Sequence, residues 1–222
     1  NTLKIRGRWS VTFPDKSYES VYKDSEICTF RIIIDIIKDY LDLETNINDI
    51  KLKLINEYAK YIKTDDINIM LILIEQGKNN LVKMASRNEI KLDDLIMSSN
   101  YYLTNLDLWI LSKAYNLPII IISGTKLAEN ERSLIILNDI DINSYYFIRQ
   151  PGIKRNVVPE YSIVFKDDKG LFNVNLIKKL KNIVNIEKEL MFKEDLTIQN
   201  YINNFMPKPT KIKRKPKSKS KS

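Results

Sequence analysis

Cys28 is the only thiol in the chain, and it opens an apolar series, Cys28, Ile32, Ile33, Ile36, Ile37, Tyr40 and Leu41, with charged Arg31, Asp35, Lys38 and Asp39 between. That spacing predicts a helix burying a broad face, with the thiol at its N-terminus. Unpaired amides and the helix dipole favour a thiolate there, which is the chemistry of a cysteine nucleophile. Glu26 opposes it from two positions earlier, and the plainer alternative is a small apolar core residue. A nucleophilic thiol needs a base, and the 222 residues include no histidine. A Cys-His pair therefore cannot be completed within the chain. One Cys and no His also exclude an ordinary structural zinc site. Five scattered glycines make neither a Walker loop nor a dinucleotide fingerprint. The carboxylate pairs Asp65-Asp66, Asp93-Asp94 and Asp167-Asp168, and Asp139 with Asp141, fall where solvated turns or helix starts are expected. No metal or other cofactor is expected.

The elements that would position Cys28 follow from periodicity. Leu3, Ile5, Trp9, Val11 and Phe13 alternate before a Pro14-Asp15 turn and predict an N-terminal strand. Helical spacing continues over 50–62, 67–75 and 80–85. Thr104 with Asp107 three positions later forms an imperfect capping box, and the helix it opens ends near Asn116, before Pro118. Ile119 to Ile122 then reads as a strand buried on both faces. Further strands are expected at 134–137, 145–149 and 161–165, with 167–170 turning into a partner at 171–174. Leu176 to Ile186 and Leu196 to Phe205 read as closing helices. The expectation is one α/β (α+β) domain over residues 1–206, with helices of the first half packed on a small mixed sheet built mainly from the second.

Three segments then resemble a known family. Asp24-Ser25-Glu26-Ile27-Cys28-Thr29-Phe30-Arg31, followed by an apolar helix, is similar to the nucleophile segment of OTU-type (ovarian tumour) cysteine proteases, usually Asp-Gly-Asn-Cys-Leu-Phe-Arg. Asn105 to Ile122 looks like that family's helix and following strand, and Ser144-Tyr145-Tyr146-Phe147 falls where its His-Tyr segment is placed. The resemblance spans roughly residues 20–150 and implies an OTU-like fold. It also implies roles: Cys28 as a vestigial nucleophile, and Ser144 or Tyr145 near the position of the lost His. Glu26 and Ile27 replace the Gly and Asn before the nucleophile, where the family's oxyanion-hole loop lies. Neither a serine nor a tyrosine hydroxyl has a pKa suited to base catalysis near pH 7. A catalytically inactive interaction module with a protein partner, of the ubiquitin-like class, is the expected function. An active cysteine deubiquitinase would need an unorthodox base.

Charge gives a second reading. The net charge is +8, from 36 basic and 28 acidic residues. Lys208, Lys211, Lys213, Arg214, Lys215, Lys217, Lys219 and Lys221 lie in residues 207–222, which contain no acid. Removing these eight leaves 28 basic residues against 28 acidic, so the body is neutral and the Lys/Pro/Ser-rich tail is expected to be a disordered polycation. It resembles a nuclear-localisation or nucleic-acid patch. A nucleic-acid-associated accessory protein, contacting phosphates without base stacking, is the alternative function. No apolar run approaches the roughly 18 residues that cross a bilayer, so an intracellular protein with no membrane association is expected. The chain starts at Asn1 without an initiator Met and is read as a fragment or processed product. Its Ile, Lys and Asn content would suit a member from a large DNA virus, in host cytoplasm, nucleus or virion.

Overall fold

The computed structural model describes residues 2–5, 7–23, 27–61, 73–74, 76–87, 90–123, 134–138, 143–150, 152, 154–167, 169–173, 175–176 and 186–188. In chain order the elements are β1 (Thr2–Lys4), a 3-10 segment (Gly7–Val11), β2 (Ser17–Val21), α1 (Cys28–Leu41), α2 (Ile47–Tyr61), α3 (Asn79–Arg87), α4 (Leu92–Met97) and α5 (Asn105–Ala114). There follow β3 (Ile119–Ser123), β4 (Leu134–Ile136), β5 (Ser144–Gln150), β6 (Ser162–Lys166), β7 (Leu171–Asn173) and β8 (Ile186–Lys188). The mixed α/β class expected from the sequence is the class observed.

One mixed sheet runs β1-β2-β6-β5-β3-β4-β8. β3 and β5 are parallel, in register from Ile119 with Tyr146 to Ser123 with Gln150, while β6 is antiparallel to both β5 and β2. β7 pairs with β5 over Ser144–Tyr146, where β6 leaves off. This differs from the sequence expectation, in which 171–174 turns back on 161–165. Only an isolated bridge, Lys166 with Lys169, joins the two sides of that turn. Gly170 is needed here, because a Cβ would stand 2.9 Å from the Tyr146 ring.

Alternation along the strands divides the apolar side chains between two faces. Ile119, Ile121, Tyr146 and Ile148 join α1, α2 and α5 in a large core. Ile120, Ile122, Tyr145, Phe147 and Val164 face a smaller one with Trp9 and Phe13. β3 is thus buried on both sides, as its uninterrupted isoleucines predict. In α5 every residue from Asn105 to Ser112 is buried, so this helix is enclosed all round.

Two parts of the N-terminal reading are corrected. The strand expected over 3–13 is strand only at Thr2–Lys4 and then becomes a 3-10 turn. Ile5, Trp9 and Phe13, spaced by four, are the buried apolar residues, whereas Val11 is 77% exposed. The same side chains satisfy two periods, and the turn wins. β2 carries no alternation strong enough to mark it in the sequence. At the other end Ile186 begins a strand, not the end of a helix. The segments 67–72, 177–185 and 196–205 lie outside the described residues, as does the boundary at 206–207.

Candidate functional site

α1 begins at Cys28 as the periodicity predicts, and Cys28 and Thr29 are both buried. The Thr29 hydroxyl oxygen accepts the Leu103 amide at 2.8 Å, which ties the start of α1 to the chain just before α5. The Tyr22 amide donates to the Tyr161 carbonyl at 2.9 Å and brings the entry to β6 to the same place. Tyr161 itself is 1% exposed. Its phenol is pushed well above the usual range by burial first, then by the Asp107 charge, with Tyr102 and the neighbouring Cys28 as lesser causes.

Ser144 and Tyr145 are not there. β5 runs past α1 with Tyr146 donating its hydroxyl to Asp39 near the end of that helix. Asp39 is about 16 Å along the helix from Cys28 at 1.5 Å per residue. Ser144 lies beyond Tyr146, paired with Asn173. Tyr145 points to the opposite face of the sheet, among Phe13, Phe147 and Phe172. Ser144 and Tyr145, expected near the thiol, thus stand at the end of β5 opposite Gln150. Parallel pairing with β3 sets the direction of β5, and its Gln150 end meets Asn105 at the start of α5.

That other end of β5 does reach the neighbourhood. Asn105 Nδ2 donates to Gln150 Oε1 at 2.9 Å, and Asn105 Oδ1 accepts the Tyr161 hydroxyl at 3.2 Å. Gln76 Oε1 accepts the Leu106 amide at 3.3 Å and the Thr104 hydroxyl, closing the first turn of α5. These side chains line a cleft of about 200 Å³, whose remaining wall is Gly152, Lys154, Val157, Val158, Pro159 and Glu160. Its floor is made of amides and hydroxyls, one wall is apolar, and exposed Lys154 and Glu160 stand at the rim. Cys28 does not line the cleft. Tyr161 does, its phenol held by Asn105, and the buried thiol stands outside the cleft's lining. Sequence reasoning singles out none of Gln76, Gln150 or the 152–160 segment. Their convergence depends on pairings 45 to 76 residues apart, which periodicity does not register.

Beneath the cleft, Asp107 is fully buried and ringed by donors. Oδ1 takes the Tyr58 and Tyr101 hydroxyls at 2.8 and 2.7 Å. Oδ2 takes Lys78 Nζ at 2.6 Å and the Thr104 amide at 2.7 Å, with the Thr104 hydroxyl oxygen at 3.1 Å. The Thr104 amide bond is the reach-back half of the capping box read from the sequence. Lys78 is also fully buried and sits 4.1 Å from the Tyr101 ring centroid. Burial pushes its ammonium pKa down, and the Asp107 carboxylate opposes that shift.

A pH dependence follows. Burial and the Asp107 charge raise the phenols of Tyr58, Tyr101 and Tyr161 well above their ordinary value. Above about pH 10 the unfolded chain loses phenolic protons that the folded chain keeps, so stability falls with pH. Each of these three tyrosines contributes about 1.4 kcal/mol of loss per pH unit there. Lys78 and Lys51 are shifted down by burial and act oppositely, but only up to the ordinary lysine value near 10.4. We expect the three phenols to ionise together with cooperative unfolding in an absorbance titration; stepwise ionisation near pH 10 with the fold retained would contradict this.

The remaining expected site residues, Lys208 to Lys221 of the tail, lie outside the described residues. Asp93 and Asp94 occupy the first turn of α4, where acids suit the helix dipole. Among the described residues no group of three or more acidic or thiol side chains is placed to hold a metal ion, and no helix is long and apolar enough to cross a membrane.

No protein-family model matches the chain, and no curated protein does. Among solved structures, it is similar to an ovarian tumour (OTU) domain in complex with ubiquitin. That likeness has 15% identity and a TM-score of 0.41, over 81% of this chain and 90% of that one. A score this low does not assign a fold. What the geometry defines is a mixed α/β protein with a buried helix-start thiol and a cleft lined by Gln76, Asn105, Gln150 and Tyr161.

Proposed function

We propose that the chain is a catalytically inactive, OTU-like interaction module whose cleft receives an extended segment of a protein partner, with ubiquitin-like proteins as the partner class. The observation that carries the reading is the closed thiol: Cys28 stands at a helix start, as a nucleophile would, but is 2% exposed in a chain with no histidine. The nucleophile-like segment at Cys28 and the helix-strand segment from Asn105 to Ile122 support the OTU-like outline. In that family a His activates the thiol, and here the pair that enters β6 is Glu160-Tyr161. On this reading a carboxylate stands in the place of the imidazole. Neither a carboxylic acid nor a phenol titrates near neutrality as imidazole does, so base and leaving-group acid are both missing.

The cleft suits an extended chain. A peptide backbone alternates donors and acceptors, and Gln150 with the rim charges of Lys154 and Glu160 offers both. Val157, 51% exposed, gives an apolar contact at the wall. Calorimetric titration with mono-ubiquitin tests this. Saturable binding is expected, weakened at least tenfold by Val157→Asp, a surface change with little effect on the fold. Absence of binding, or equal binding by both proteins, would overturn the assignment of the partner to this cleft.

A further inference from the structure

The two walls of the cleft come from distant parts of the chain, Gln76 from the turn before α3 and residues 154–160 from the approach to β6. One residue joins those parts twice. The Asn156 amide donates to the Gly77 carbonyl at 2.7 Å, and Asn156 Oδ1 accepts the Asn80 amide at 2.7 Å. Asn80 is in the first turn of α3, whose amides have no partner within the helix. Asn156 thus supplies an N-terminal cap to α3 from 76 residues away.

Both ends of this contact are shaped for it. Asn156 has φ 56°, the left-handed region that Asn enters more readily than most residues. That turn lets its own amide and its side chain point at the same stretch of chain. Gly77 has φ 92°, open to glycine and strained for other residues. Its carbonyl also accepts the Tyr102 hydroxyl at 3.2 Å, and the next residue is Lys78, buried against Asp107. The receiving side is therefore anchored in the core, whereas Lys154 and Arg155 beside the latch are exposed.

We propose that Asn156 is a positioning residue that clamps the 154–160 wall to the 77–80 turn and so fixes the width of the cleft. Its use in binding rests on the function proposed above; the clamp itself does not, and it is tested without any partner. Trypsin can cut after Lys154 and Arg155 only when this segment leaves its native path, and slow cutting by dilute protease follows the population of the open form. Asn156→Ala loses the side-chain bond and is strained at positive φ; Asn156→Gly keeps the backbone conformation and loses only the bond; Asn156→Asp keeps the acceptor.

Fragments ending at 154 or 155, read by mass, are expected to form roughly tenfold faster in the Ala variant, several-fold faster in the Gly variant, and within about twofold of the unaltered chain in the Asp variant. The urea midpoint should fall by no more than that same loss accounts for, roughly 1.4 kcal/mol for a tenfold change, while the population cut stays well above that globally unfolded, marking the opening as local. Equal cutting rates for the Ala, Gly and unaltered chains would overturn the clamp. So would an Asp variant that is cut as fast as the Ala variant. Failure of ubiquitin to bind would leave the cutting rates, and what they say of the clamp, unaffected.

Discussion

Asp107→Ala is expected to lose at least about 5 kcal/mol of stability, enough to leave a domain of ordinary stability largely unfolded. Removing one partner of a buried ion pair costs about 3–5 kcal/mol, because the other charge stays buried without compensation. Here that charge is Lys78, which has no route to solvent. The same substitution orphans the Tyr58 and Tyr101 hydroxyls and the Thr104 amide, at about 1–3 kcal/mol for each buried group. Lys78→Met should cost less than half as much. Asp107 would keep its bonds from Tyr58, Tyr101 and Thr104, and a methionine fills much of the lysine's path beside the Tyr101 ring. Urea melts of the two variants with unchanged slope would measure this. Equal losses would show that the ion pair, and not the convergence of donors on one carboxylate, dominates.

The second large effect is expected at the opposite face of the sheet. Trp9 is fully buried and its ring lies 6.3 Å from Phe13, which packs edge-on against Phe147 at 5.2 Å and near Phe172 at 5.4 Å. This core is smaller than the one under the helices, and the 3-10 segment is the main described cover over it. Removing an indole there should cost about 3–5 kcal/mol. Val11, on the same segment but exposed, supplies the control, since Val11→Ser should change stability by no more than about 0.5 kcal/mol. Similar melting of the two variants would mean that the second face does not contribute as a core.

The elements legible in the sequence are those whose signal is local. α1 is legible because its seven apolar positions and intervening charges repeat along one face. α5 and β3 are legible because a capping pair and a proline bracket them. The Tyr161 approach is invisible for the opposite reason. Nothing in a run of Val, Val, Pro, Glu and Tyr says that it will line a cleft with Asn105 and Gln150; that follows from β6 pairing antiparallel with β5 and β2. Asp107 shows the boundary within one residue. Its reach to the Thr104 amide is readable at three positions' distance, while its bonds to Tyr58 and Lys78, 49 and 29 residues away, are not.

The inactive module is tested most directly by incubating the full chain with di-ubiquitin and, separately, with ubiquitin carrying a thiol-reactive C-terminus, each against Cys28→Ala. Intact di-ubiquitin and no adduct in either protein are expected, because Cys28 is 2% exposed and no residue in the chain supplies an imidazole. Cleavage or adduct formation that disappears in Cys28→Ala would contradict this and restore the chain to the active proteases it resembles.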